Sequence, residues 1–274
     1  PVVDFHAIMS RVNREIQKNN PAATVVGPDR IHPGAPGHLV MAYAFLCAQQ
    51  MPEYVSSIGI DAAAAKTTET VNCEVEQIRS VAPNGISFAC REFALPFPVS
   101  EAQKPALNWV PFQQKLNREI LTVKNLAAGS YNLKIDNLLV AAFSAADLDR
   151  GVNLADYPNT PQYRQALDVK EINDRRLEIS KKLRTIALVR YRFLSNLETV
   201  PEDDEALSRI LYAAIEKIKT TSGYSYLKKQ CDDFIELRRS ENDFRQQTEA
   251  LFARIDQVNK PKFHQWEITP ADRN

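Results

Sequence analysis

Ala23-Thr24-Val25-Val26-Gly27-Pro28-Asp29-Arg30-Ile31-His32-Pro33-Gly34 is the stretch on which the reading of this chain turns. Its first four residues form a short, mostly apolar run of the kind that makes a fully buried strand. Pro36-Gly37-His38-Leu39-Val40-Met41-Ala42-Tyr43-Ala44-Phe45-Leu46 follows, with Pro36 placed for a first helical turn. Asp29 and His32 therefore sit on a tight loop between a strand end and a helix start. Three residues of turn bring the carboxylate onto one ring nitrogen of His32. That contact fixes the tautomer and leaves the other nitrogen free to take a proton from a serine. The bland alternative is a turn aspartate that caps the next helix, beside a surface histidine; a D-x-x-H spacing alone recurs by chance.

The Asp29-x-x-His32-Pro33 segment, extended by Gly34, Gly37 and His38, resembles the last motif block of the SGNH (GDSL-type) ester hydrolases. Ala94-Leu95-Pro96-Phe97-Pro98, the Tyr131–Asp136 strand and Gly151-Val152-Asn153-Leu154-Ala155 resemble the long C-terminal extension of bacterial SGNH proteins, so the resemblance covers most of the chain. It implies that Asp29 and His32 are the catalytic Asp and His of a Ser-His-Asp triad. It implies no cofactor, and an ester substrate: an acylated carbohydrate or a small acyl ester. The family's Gly-Asp-Ser nucleophile block and the Gly and Asn blocks of its oxyanion hole are absent from these 274 residues. The opening Pro1-Val2-Val3-Asp4-Phe5 reads as the interior of a fold. The expectation is thus the C-terminal portion of a longer enzyme, inactive alone, whose partner is a missing N-terminal segment, fused or separate. By resemblance only, the intact protein is periplasmic or secreted.

The expected fold class is α/β: the remainder of a flavodoxin-like three-layer α/β/α core over residues 1–52, a small β-rich module over 53–143 and a helical extension over 144–274. A rival from another class is a non-catalytic protein in which the β module and helices bind a glycan or a partner.

Composition fits an ordinary soluble globular chain, 44% hydrophobic and 25% charged. Lys+Arg and Asp+Glu balance at 34 each, so no bulk field draws the chain to nucleic acid or an anionic membrane. No apolar stretch approaches the ~18 residues of a spanning helix. Glycine numbers only 8, against about 19 at average usage, which suits a helix-rich chain without glycine-rich catalytic loops. Cys47, Cys73, Cys90 and Cys231 are too few for a disulfide scaffold.

Outward from the decisive loop, Ile8, Val12 and Ile16 mark a helix on its N-terminal side, and the helix after it is apolar nearly all round, as if buried against a sheet. Short extended segments follow at Val55, Thr67–Val71, Glu74–Ile78, Ile86–Phe88, Glu119–Val123, Tyr131–Ile135 and Leu138–Phe143. Pro83-Asn84-Gly85 supplies a hairpin turn, and Gly129-Ser130 and Asp136-Asn137 punctuate a three-stranded meander. With a turn at Asn84-Gly85, Cys90 faces Arg79 and lies far along the strands from Cys73, so no bridge joins the two cysteines. Ser144–Asp147 forms a capping box closed by Gly151. A long helix runs from about Gln162 to Leu197 with Ile172, Ile179, Leu183, Ile186, Val189 and Phe193 in its stripe; two more carry Leu207–Ile218 and Leu227–Ile255, giving a helical hairpin or bundle.

The remaining chemistry reads as structural. His6 follows the first strand and could reach the Asp29–His32 end of the sheet. His38 lies one turn into the next helix. His264 sits between Phe263 and Trp266 in a tail that docks on the body. Four scattered histidines with no Cys-x-x-Cys or His-x-x-x-His pair give no metal site. Arg190 and Arg192 read as a solvated helix edge, and Glu202–Glu205 as acidic residues at a helix start, where the dipole favours them.

Overall fold

A computed structural model describes residues 2–27 and 29–271. Pro1, Pro28 of the decisive loop and residues 272–274 lie outside the described residues. The fold is mixed α/β, as expected, and its largest core lies between two β-sheets. The strands are β1 (Tyr54–Asp61), β2 (Lys66–Val71), β3 (Cys73–Val81), β4 (Gly85–Glu92), β5 (Arg118–Lys124), β6 (Ser130–Ile135), β7 (Leu138–Ser144), β8 (Val152–Asn153) and β9 (Phe263–Pro270). One sheet runs β2-β1-β5-β8, with β1 and β5 parallel. The other runs β3-β4-β9-β6-β7 and is antiparallel throughout.

Period-two alternation decides which side chains meet between the sheets. Ile58 and Ile60 of β1 and Leu121 and Val123 of β5 face Ile86, Phe88, Leu133, Ile135, Trp266 and Ile268 of the other sheet. The rings of Phe88 and Trp266, partners across β4 and β9, stack at 5.6 Å between centroids.

Two strand expectations are corrected. The segment 119–143 is not one meander: β5 belongs to the first sheet, while β6 and β7 form a hairpin in the second, turning on Asp136 and Asn137 at positive φ. In the β3–β4 hairpin, Val81 pairs with Gly85, and Gln77 bulges at φ 55 between Glu76 and Arg79. The bulge and the wider loop shift the register, so Cys90 faces Val75 and Cys73 faces Glu92. Both cysteines remain free thiols, but they lie diagonally on one face and hydrogen-bond each other.

Helices α1 (Phe5–Asn19) and α2 (Ala35–Ala48) flank the decisive loop. Val12, Val25, Leu39 and Val40 pack with Ala106, Val110 and Phe112 into a second core. Here the expectation of a buried strand is only partly met. Val25 is buried, yet 23–26 makes a single isolated bridge, Val26 to Pro33. A strand needs a neighbour for its N–H and C=O groups, and among the described residues no sheet flanks this segment. A Cβ on Gly37 would lie 2.1 Å from the Val25 carbonyl oxygen, so only glycine lets α2 start this close to the extended segment.

Short α3 (Phe112–Leu116) precedes β5, and α4 (Ala145–Arg150) begins with the expected capping box, closed by Gly151 at φ 93. The chain forms two compact units, one reaching Leu167 and resuming at Asn259, the other spanning Asp168–Val258. The division expected at residue 144 is therefore displaced: β8 and β9 return the supposed helical extension to the sheets, β9 lying between β4 and β6. The second unit holds most of α5 (Pro161–Val189), a π-helical stretch at Arg190–Leu194, α6 (Asp204–Glu216), α7 (Tyr224–Leu237) and α8 (Glu241–Val258). Its core joins Ile186, Val189 and Leu194 to Leu207, Leu211, Ile215, Cys231 and Phe234. The long helix changes to π geometry instead of running smoothly to Leu197, and the third predicted helix divides at Arg238–Ser240.

Candidate functional site

The Asp29–His32 turn is built by its own short-range bonds. The Gly27 N–H donates to the His32 carbonyl at 2.5 Å and the Arg30 N–H to the Gly27 carbonyl at 3.0 Å. Asp29 Oδ1 accepts the Ile31 and His32 backbone N–H groups at 3.0 Å each, an Asx-type closure of the loop. Arg30 takes φ 61, the left-handed region that a tight turn demands here. With Oδ1 so occupied, Oδ2 is left to accept from His32 Nδ1 at 2.6 Å. The hydrogen bond from His32, followed by those from the Ile31 and His32 backbone, holds the Asp29 carboxyl down at about 2.

This pair is exposed: the His32 side chain keeps 82% of its surface and that of Asp29 49%. With Nδ1 donating to the carboxylate, Nε2 presents its lone pair outward as an acceptor. Among the described residues, no serine oxygen hydrogen-bonds to His32. His38 is exposed on α2. His6 lies on α1 and not behind a strand at a sheet end; with Ser10 Oγ 3.4 Å from its Nε2, it shares a cleft of about 330 Å³ with Ser10, Asn13, Val26 and Arg30 of the loop.

His264, read as a packing residue in a docked tail, lies in a strand of the second sheet. On β9 it is buried, and its Nδ1 donates to Asp136 Oδ2 at 2.7 Å, while Asp136 Oδ1 accepts the Gln265 N–H at 2.8 Å. Arg190 is paired with Glu241 at 2.7 Å, and Arg192 lies against the Phe193 ring. In the acidic run, Asp203 caps α6 by accepting the Ala206 N–H at 2.7 Å. Among the described residues no group of three or more His, Cys, Asp or Glu is placed to hold a metal, and no helix is long and apolar enough to cross a membrane.

A second constellation went unread in the sequence. Glu92 and Glu119 are buried at one end of the space between the sheets, in the phase of Ile86, Phe88 and Cys90 on β4 and of Leu121 and Val123 on β5. Ser56 Oγ donates to Glu92 Oε1, and Gln162 Nε2 donates to Glu92 Oε2 at 2.6 Å. Burial raises both carboxyls, and the Glu92 charge raises Glu119 further. The signal was available: a glutamate in step with inward apolar residues is a buried acid before it is a surface one.

No known family profile matches the chain, and no curated protein matches it either. Among solved structures it is similar to a gut microbial diltiazem-metabolizing enzyme, at 29% identity and a TM-score of 0.84. The likeness covers 97% of this chain and 61% of that one, so the chain spans about three fifths of the length of the structure it matches.

Proposed function

We propose that this chain is the C-terminal part of an ester hydrolase of SGNH type, in which His32 is the general base and Asp29 its orienting carboxylate. The observation that carries the reading is the Asp29 Oδ2–His32 Nδ1 contact of 2.6 Å, in a loop whose other bonds leave Nε2 facing outward. The likeness to a drug-metabolizing enzyme supports an enzymatic role, and the three-fifths coverage is compatible with a nucleophile supplied outside these residues.

In this mechanism a serine hydroxyl attacks the ester carbonyl carbon while His32 Nε2 takes its proton. The imidazolium so formed is stabilised by the Asp29 carboxylate and returns the proton to the departing alkoxide. Water then repeats the sequence on the acyl-enzyme, releasing the acid and the free serine. Asp29 suits its part because its depressed pKa keeps it anionic wherever His32 is neutral. The substrates we propose are acylated carbohydrates or small acyl esters, met in a periplasmic or extracellular setting.

The test is hydrolysis of p-nitrophenyl acetate. The 274-residue chain alone should be no faster than its His32→Ala variant. Joined to the upstream segment, fused or as a copurifying chain, it should become active, and His32→Ala should then lower turnover by about 10⁴-fold or more. No gain from the upstream segment over a panel of acyl esters would reject the hydrolase in favour of a glycan- or partner-binding protein.

A further inference from the structure

The Glu92–Glu119 cluster is independent of the hydrolase reading. Glu92 is fully supplied with donors, Ser56 Oγ on one oxygen and Gln162 Nε2 on the other. Glu119 is the opposite case: buried to 1% exposure, with no N–H or hydroxyl donor among the described residues reaching Oε1 or Oε2. An ionised carboxylate buried to this degree with no protein donor on either oxygen carries a large desolvation cost, so such a group keeps its proton. Ser56, the donor to Glu92, is also the Cα partner of Glu119 across β1 and β5, so the two acids are neighbours, and between them the acid O–H of Glu119 donates to the Glu92 carboxylate.

Among the described residues no Lys or Arg faces the pair, and the group able to carry positive charge nearest to it in effect is His264, which acts on Glu92 through space. The groups facing the pair are Ser56 from β1, Cys73 from β3, Cys90 from β4, Gln162 from α5 and, through space, His264 from β9, itself bonded to Asp136. Arg91 and Arg118, the sequence neighbours, alternate to the other faces of their strands and bond Glu74 and Glu53. The pair also lies where the first unit gives up the chain and takes it back. Gln162 is in the first turn of α5, shortly before Leu167. Asn259 and Pro261, on the return, line a cavity of about 330 Å³ with Glu92, and Gln165 Nε2 donates to the Lys260 carbonyl at 2.9 Å.

We propose that Glu92 and Glu119 share a single proton, and that this proton locks the end of the sandwich through which the chain leaves and re-enters the first unit, so that raising the pH releases that end. Below the ordinary carboxylate range, folded and unfolded chains both hold the proton, and the pair confers no pH dependence. As pH rises past about 4.3, the unfolded chain loses the proton while the folded pair keeps it. The ratio of folded to unfolded then falls by up to about tenfold per pH unit, until the folded pair itself titrates. At that point Glu119 and Glu92 repel, and the ties through Ser56 and Gln162 are strained.

The experiment compares the 274-residue chain with Glu119→Gln, which keeps the shape and offers Glu92 an N–H in place of the O–H. Denaturant unfolding from about pH 5 to about pH 10 should show a decline in the natural chain that the variant lacks, up to about tenfold in the equilibrium constant per unit. The variant should be the more stable of the two at the alkaline end. In the infrared, the natural chain at neutral pH should show the C=O stretch of a buried protonated carboxyl, absent from the variant. Amide exchange, corrected for its intrinsic pH dependence, should lose protection first around 159–167 and 259–265. The same alkaline decline in Glu119→Gln as in the natural chain would overturn the proposal. So would a natural chain without the carboxyl band at neutral pH, and that measurement decides the matter even if the variant does not fold.

Discussion

At the residue scale, three backbone and side-chain bonds converge on one carboxylate, and Asp29 acquires from them both its low pKa and its hold on His32. The pairing is present throughout the range above the ordinary aspartate pKa and is lost only as pH falls through about 2. Carboxyl-carbon NMR should therefore find Asp29 titrating near 2, and Asp29→Asn should move the His32 ring resonances at neutral pH while leaving those of His264 in place. An Asp29 titration at the ordinary value would mean that the turn is not closed in solution. Because the pair is exposed, His32→Ala should leave the denaturant midpoint of unfolding nearly unchanged, as surface substitutions do. That separates an effect on the proposed hydrolysis from any effect on folding.

At the element scale, the decisive contact is between α2 and the extended segment before the loop. Gly37→Ala would set a Cβ 2.1 Å from the Val25 carbonyl oxygen, a backbone atom that cannot swing aside as a side-chain tip would. Either α2 or the 23–26 segment must move, at a cost of about 1–3 kcal/mol typical of overpacking. The movement is transmitted to Asp29–His32 through the Val26–Pro33 bridge. The expected outcome is a lower unfolding midpoint together with altered His32 ring shifts; an unchanged midpoint would show that the close approach is absent. The bulge at Gln77 acts at the same scale. Added to the wider loop, its one extra residue sets Cys73 and Cys90 diagonally on one face, where a tight turn at Asn84-Gly85 with no bulge would leave them far apart.

At the scale of the whole molecule, the last strand holds the five-stranded sheet together. β9 pairs with β4 on one side and β6 on the other, and supplies Trp266 and Ile268 to the core. Ending the chain before Phe263 should therefore separate the sheet into two hairpins, and two-stranded hairpins are marginal in water. Circular dichroism should show strand signal lost while the helical signal of 168–258, which has its own core, persists. A truncated chain that keeps its strand signal would show that β4 and β6 close the gap by pairing directly.

Much of this molecule is legible in its amino-acid sequence alone. The Asp29–His32 turn, the capping box at Ser144, the turn at Asp136-Asn137 and the apolar stripes of the helices all follow from contacts within a few residues, where spacing alone decides what meets. What sequence order could not supply was partnership at a distance. It did not show that β5 leaves its neighbours for the other sheet, that a C-terminal segment crosses back to lie between β4 and β6, or that the apolar run at 23–26 makes one bridge and, among the described residues, joins no sheet. Strand pairing is a contact between segments far apart in the chain, set by which faces bury together. Glu92 and Glu119 became a site only when two sheets closed over them and left Glu119 without a protein donor among the described residues.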